Sequence, residues 1–182
     1  MRVLVIAQYF PPRRSSFASR WAWLTTFLAE RGHDVEVIAF LSSARQLGNL
    51  RHAFEADPPA PRVRFHPVLP LLQGQGLVTR ALADALAAVR GFREAMRVGE
   101  VDVVVASVPS LVIIPLGWLV ARRRRRPLVL DLRDAWPELL DDWREWNHDG
   151  QRPRPLHPAK RAVFPLAKYV VAGLVHTIRL RA

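Results

Sequence analysis

The sequence predicts an α/β fold, a Rossmann-like, doubly wound parallel sheet with helices on both faces. Three observations predict it. Short β-branched runs alternate with longer segments of helical periodicity, the pattern of successive βαβ units. The runs Val3-Leu4-Val5-Ile6-Ala7, Val101 to Ser107 and Pro127 to Leu132 are nearly continuous in apolar residues, as strands buried on both faces are. Half of the 182 residues are hydrophobic, so a chain of single-domain length can bury a core.

The elements follow in order. Arg2 to Ala7 is the first strand. A helix runs from about Phe17 to Arg31, with Phe17, Trp21, Leu24 and Leu28 on one stripe, and Gly32 stands where a left-handed residue would end it. Asp34 to Phe40 is the second strand. A loop containing Pro58, Pro59 and Pro61 leads to a strand around Arg62 to His66. The next helix spans Leu77 to Arg97, with the stripe Leu82, Leu86, Val89, Phe92 and Met96, and Gly99 after it. Val101 to Ser107 is a strand, Leu111 to Arg124 a helix and Pro127 to Leu132 the fifth strand. From Ala159 onward the pattern is again helical, with a strand near Val170 to Val175 left open.

Composition narrows the function classes. The absence of cysteine excludes disulfides and thiol chemistry. The formal net charge is +11, almost all from arginine, since lysine occurs only at Lys160 and Lys168. Arginine with abundant Ala, Leu, Val and Pro is the signature of GC-rich coding, so the charge does not by itself point to nucleic acid, which is not an expected partner. It still favours contact with phosphates or anionic lipid. The start of the chain lacks the form of a signal peptide. Val103 to Ala121, followed by Arg122 to Arg126, imitates a membrane span. Ser107, Pro109, Ser110 and Pro115 interrupt it, and it reads as a strand and then a helix. The arginine run reads as a solvated helix end, with a lipid-facing patch as the sharper alternative. The six histidines show no metal-ligand spacing, and no metal is expected.

In a doubly wound sheet, ligands bind where the strand order reverses, beyond the carboxyl ends of the strands. That directs attention to Gln8 to Ser19, Ser107 to Ser110 and Asp131 to Glu138. In the first segment Arg14, Ser15 and Ser16 precede a helix, whose free N–H groups suit a phosphate; equally, Ser16 is a simple cap behind a stiff Pro11-Pro12 turn. Ser107 and Ser110 face the same crevice, and Ser110 also suits a cap. The third segment, Asp131-Leu132-Arg133-Asp134-Ala135-Trp136-Pro137-Glu138, concentrates charge and an aromatic at a strand end. Arg133 suits an anion, Asp134 and Glu138 suit a hydroxyl, and Trp136 suits a sugar face. The same residues also read as a capped helix start with acids at its positive end.

Four stretches together resemble the glycosyltransferase 4-like N-terminal domain, in the branch of bacterial surface-polysaccharide transferases. They are Val3-Leu4-Val5-Ile6-Ala7-Gln8-Tyr9-Phe10-Pro11-Pro12, Leu28 to Ile38, Asp102 to Pro109, and Leu130 to Glu138. The likeness covers roughly residues 1 to 140. It implies the N-terminal, acceptor-side half of a GT-B fold, with residues 1–182 as a single such domain and no C-terminal donor domain among them. It further implies a retaining, metal-free transfer from a nucleoside diphosphate sugar, the co-substrate, to a saccharide or lipid-linked acceptor in cell-envelope or exopolysaccharide synthesis. On this reading the enzyme is truncated or split, with a separate donor-domain chain as partner. It is expected in the cytoplasm, peripheral to the inner face of the membrane. Asp134, Arg133 and Glu138 are then the catalytic candidates. Ser15, Ser16, Arg14, Ser107, Ser110 and Trp136 are the substrate-binding candidates. One departure stands out: Ser15-Ser16 occupies the place where the family usually has a glycine pair near the first helix. Two readings compete with this one. The first is a non-catalytic module of the same fold that binds a polyanion or an anionic membrane surface. The second is a complete small nucleotide-binding protein.

Overall fold

In a computed structural model, which describes residues 1–8, 20–72, 77–108 and 112–132, strand β1 is Arg2–Gln8. Its side chains alternate between two buried environments: Leu4 and Ile6 enter one core cluster, and Val3, Val5 and Ala7 enter the other. Helix α1, Arg20–Glu30, follows, then β2, Asp34–Phe40. Gly32 links them with φ at +81°, a left-handed conformation that glycine adopts without a Cβ penalty. Next come α2 (Ala44–Ala56), β3 (Val63–Val68), α3 (Leu77–Arg97), β4 (Val103–Val108), α4 (Ile113–Arg124) and β5 (Leu128–Leu132). The strands lie in the order β3-β2-β1-β4-β5. β1 runs parallel to β2 and β4, and β2 runs parallel to β3. The expected α/β sheet of Rossmann-like form is therefore the observed one. The chain divides into two compact units, Met1–Asp131 and Leu132–Ala182. Apart from Leu132, the second lies outside the described residues, as does the expected helical tail from Ala159.

Helices cover both faces. On one, Ala95 and Val98 at the end of α3 join Ile113, Leu116, Val120 and Ala121 of α4 over Leu4, Ile6 and Ile38. On the other, Trp21, Ala22 and Ala29 of α1 pack on Val5, Val35, Val37 and Val105. α4 sits close to β4 because Gly117 has no side chain: a Cβ there would lie 2.6 Å from the Cβ of Ala106. The edge strand β3 carries Pro67, which an edge tolerates. It is tied to β2 by the buried Glu36, which accepts from Arg64 at 3.2 Å and lies 2.8 Å from Nε2 of His66.

Four expectations need correction. The stretch before Pro58 is not all loop but holds α2, capped by Ser43, whose hydroxyl accepts from the Gln46 amide. Leu24 is not on the buried stripe of α1. That stripe is Trp21, Ala22, Thr25 and Ala29, where small residues allow close approach and Thr25 satisfies its hydroxyl on the Trp21 carbonyl at 2.8 Å. In α3, Leu82 and Val89 are half exposed, because the face turned to the core is the one carrying Phe92, Ala95 and Met96. The arginine run is not simply solvated. Arg124 donates to the carbonyls of Ala95 (2.6 Å), Val98 (2.5 Å) and Gly99 (2.8 Å), closing the end of α3. Burial lowers the pKa of its guanidinium. The apolar segment that imitates a span is β4 and α4, and among the described residues no helix is long and apolar enough to cross a membrane.

Candidate functional site

The carboxyl ends of β4 and β5 and the start of α1 meet at one carboxylate. Asp131 is the fourth residue of β5, and its side chain is 19% exposed. Ser107, near the end of β4 and in register with Ala7 of β1, is buried. Its Oγ donates to Oδ2 of Asp131 at 2.8 Å. Trp21 is also buried, and its indole Nε1 donates to the same oxygen at 3.0 Å. Arg20, the first described residue of α1, pairs through Nη2 with the other oxygen, Oδ1. Three elements thus converge on one acidic group at the sheet edge where a doubly wound fold binds its ligands.

Burial explains why these contacts belong together. A parallel strand that ends in an acid places that acid at the carboxyl edge. Removing the carboxylate from water disfavours its charge unless donors replace the lost hydration. Two buried donors and one cation do so here. In return, the carboxylate gives the indole N–H and the seryl O–H the partners that burial demands. The guanidinium of Arg20 remains 56% exposed. The result is a cation fixed at the carboxyl edge of the sheet by an acid that is itself held by two buried donors. Such a group suits an anion or the hydroxyls of a sugar. It is a positioning arrangement, because Ser107 and Trp21 point their polar atoms inward rather than toward solvent.

Of the residues singled out from the sequence, Ser107 is the one whose side chain is described, and the structure brings it to the Asp131 carboxylate. Arg14, Ser15, Ser16, Ser110, Arg133, Asp134, Trp136 and Glu138 lie outside the described residues. Asp131, Arg20 and Trp21 were not assigned to the site. Asp131 belonged to the motif but read as its strand end, and Trp21 read as a core residue, which its ring is. The available signal was an acid one residue from the end of an apolar strand, Leu128-Val129-Leu130-Asp131-Leu132. Among the described residues no cluster of three or more His, Asp or Glu is placed to hold a metal ion.

Comparison with known proteins adds three findings. Residues 17–175 match a family described as a glycosyl transferase 4-like domain. Among solved structures, the C-terminal domain of a hydrogenase from Pyrococcus furiosus is similar at 18% identity and a TM-score of 0.51, covering 72% of this chain and 90% of that one. A putative UDP-N-acetylglucosamine 2-epimerase from Listeria monocytogenes is similar at 16% identity and a TM-score of 0.45, covering 71% of this chain and 30% of that one. At such identities the first likeness speaks for the fold, and the second carries no weight. No curated protein matches the chain.

Proposed function

The chain belongs to the glycosyl transferase 4-like family, and from that premise we propose that it forms the acceptor-side wall of a sugar-transfer site. The donor is a nucleoside diphosphate sugar. The acceptor is a saccharide or a lipid-linked saccharide of the bacterial cell envelope or an exopolysaccharide. Transfer retains anomeric configuration and uses no metal. It requires a second, donor-binding domain, because stabilising the departing diphosphate takes hydrogen-bond donors from both walls of a cleft. The protein works in the cytoplasm, in peripheral contact with the inner, anionic face of the membrane.

One observation carries this reading. The Asp131 carboxylate gathers Ser107, Trp21 and Arg20 at the carboxyl edge of the sheet. Two and three residues further along the chain are Arg133 and Asp134, with Trp136 and Glu138 beyond. In this proposal Arg133 holds an anionic group, Asp134 accepts a hydrogen bond from an acceptor hydroxyl, Glu138 supports it and Trp136 stacks on a sugar ring. Arg14, Ser15, Ser16 and Ser110 line the approach for phosphate, and Ser107 acts through Asp131.

The test is reconstitution with a donor domain, followed by transfer rates and melting temperatures of Arg133→Ala and Asp134→Asn. A rate loss of about tenfold or more at an unchanged melting temperature is expected, the scale of losing one charged contact. Lower stability with normal turnover in the folded fraction would reduce the segment to a helix cap.

A further inference from the structure

Helices that cover a sheet ordinarily turn charged and polar residues to solvent. α1 does not. Opposite its buried Trp21, Ala22, Thr25 and Ala29, it exposes Trp23 (59%), Phe27 (46%) and Leu24. At about 100° per residue these three share one outer stripe with Arg20, bordered by Glu30, and Arg31 follows the last helical residue. The Arg31 guanidinium lies over the Phe27 ring, 3.4 Å from its centroid. Glu30 is the single acid of the helix.

We infer that this face of α1 docks on the surface of an anionic lipid bilayer. Each residue type fits that interface. Tryptophan and phenylalanine place their rings at the headgroup boundary. Arginine lays its stem along apolar surface while its guanidinium meets phosphate. Charge complementarity selects this occupant over a second copy of the chain. The protein carries +11, and an isologous pairing of two α1 faces would set their arginines against each other. Other surfaces fit less well. Val78 and Leu82, exposed on α3, are aliphatic and lack the interfacial rings. The run Arg122 to Arg126 ends α4, which covers the opposite face of the sheet from α1. Arg20 belongs to the α1 stripe and to the Asp131 site together, so docking through α1 would bring the crevice edge to the lipid. Docking through α1 presupposes the peripheral contact proposed above and is independent of sugar transfer.

The experiment is co-sedimentation of the full chain with two vesicle preparations: phosphatidylcholine alone, and phosphatidylcholine mixed two to one with phosphatidylglycerol. The parent should bind the mixed vesicles. The Trp23→Ser/Phe27→Ser variant should bind about tenfold or more weakly, from the apolar area withdrawn. Arg31→Ser should bind about fivefold more weakly. Neither should change the melting temperature. A second readout does not depend on the double variant folding: quenching of tryptophan fluorescence by brominated lipid should be smaller in Trp23→Phe than in the parent. The inference is overturned if the double variant binds as the parent does while Val78→Ser/Leu82→Ser or Arg123→Ser/Arg125→Ser/Arg126→Ser releases the vesicles. In that case peripheral contact itself still stands. A parent that binds neither vesicle overturns both. A parent that ignores vesicles but self-associates through Trp23 and Phe27 assigns the face to a second copy and likewise overturns lipid docking.

Discussion

Replacing Asp131 separates two ways in which its carboxylate can hold the edge of the sheet. Trp21 Nε1 and Ser107 Oγ both donate to Oδ2, while Arg20 pairs with Oδ1. In Asp131→Ala, the indole N–H and the seryl O–H are left without an acceptor in a buried setting. Each such orphan costs about 1–3 kcal/mol, so the loss should be about 2–6 kcal/mol. The Arg20 pair adds little, because a guanidinium 56% exposed is readily rehydrated. Asp131→Asn keeps an acceptor of the same shape. With its amide oxygen in the place of Oδ2, both buried donors stay satisfied and only the ion pair is lost, a cost of about 1 kcal/mol or less. Urea unfolding of the three proteins gives these differences as midpoint shifts at a common slope. If Asn destabilises as much as Ala, the buried donors are not what the acid serves, and the account of the site as built upward from Oδ2 fails. If Ala loses less than about 1 kcal/mol, water replaces the carboxylate freely and the cluster is not a fixed one.

Glycine packing and helix closure give two further expectations, both read by chemical or thermal unfolding. Gly117→Ala should destabilise by about 1–3 kcal/mol, since the new Cβ meets Ala106 in the middle of β4, where no rotamer gives way. Gly91→Ala meets the tip of the Phe40 ring, which can swing, so a helix-propensity gain of about 1 kcal/mol should offset much of the crowding. Arg124→Ala should cost about 1.5–3 kcal/mol by releasing the Ala95 carbonyl of α3 and the Val98 and Gly99 carbonyls just after it. Arg124→Lys should recover only part of that, because one ammonium cannot match a planar fork over three acceptors.

The order of the elements was legible because buried parallel strands announce themselves. β2 runs Asp34–Phe40 and α3 runs Leu77–Arg97, both as expected. α2 was harder to read, since its thirteen residues include Gly48 and bury only Leu50. Its start was nonetheless written locally as Ser43 followed by Gln46, whose side-chain oxygen accepts from the Ser42 amide at 2.6 Å. Stripe assignment failed where size and hydroxyl chemistry overrode hydrophobicity: Thr25 is buried and Leu24 is not. Of the carboxylate cluster, the sequence reading held Ser107 at its strand end and Asp131 as the first residue of a segment whose other candidates, Arg133 to Glu138, lie outside the described residues. It could not foretell that Asp131 faces inward to Ser107 and Trp21, since that depends on how α1 settles on the sheet. Trp23 and Phe27 fell outside the expected stripe of α1, and they are exposed.

The far end of the sheet is secured by arginines acting on backbone. Arg2 Nη1 donates to the Glu100 carbonyl at 3.0 Å, and Arg124 reaches Gly99 next to it. A side chain at Gly99 would strike Arg2, 2.8 Å away. The loop that starts β4 is thus pinned from both sides, at the end of the molecule remote from the crevice. A scaffold held in this way leaves its opposite rim free to vary. The same pinning makes the arginine-rich composition more than an imprint of codon usage. A chain recoded wholesale from arginine to lysine would keep its charge and lose that clasp.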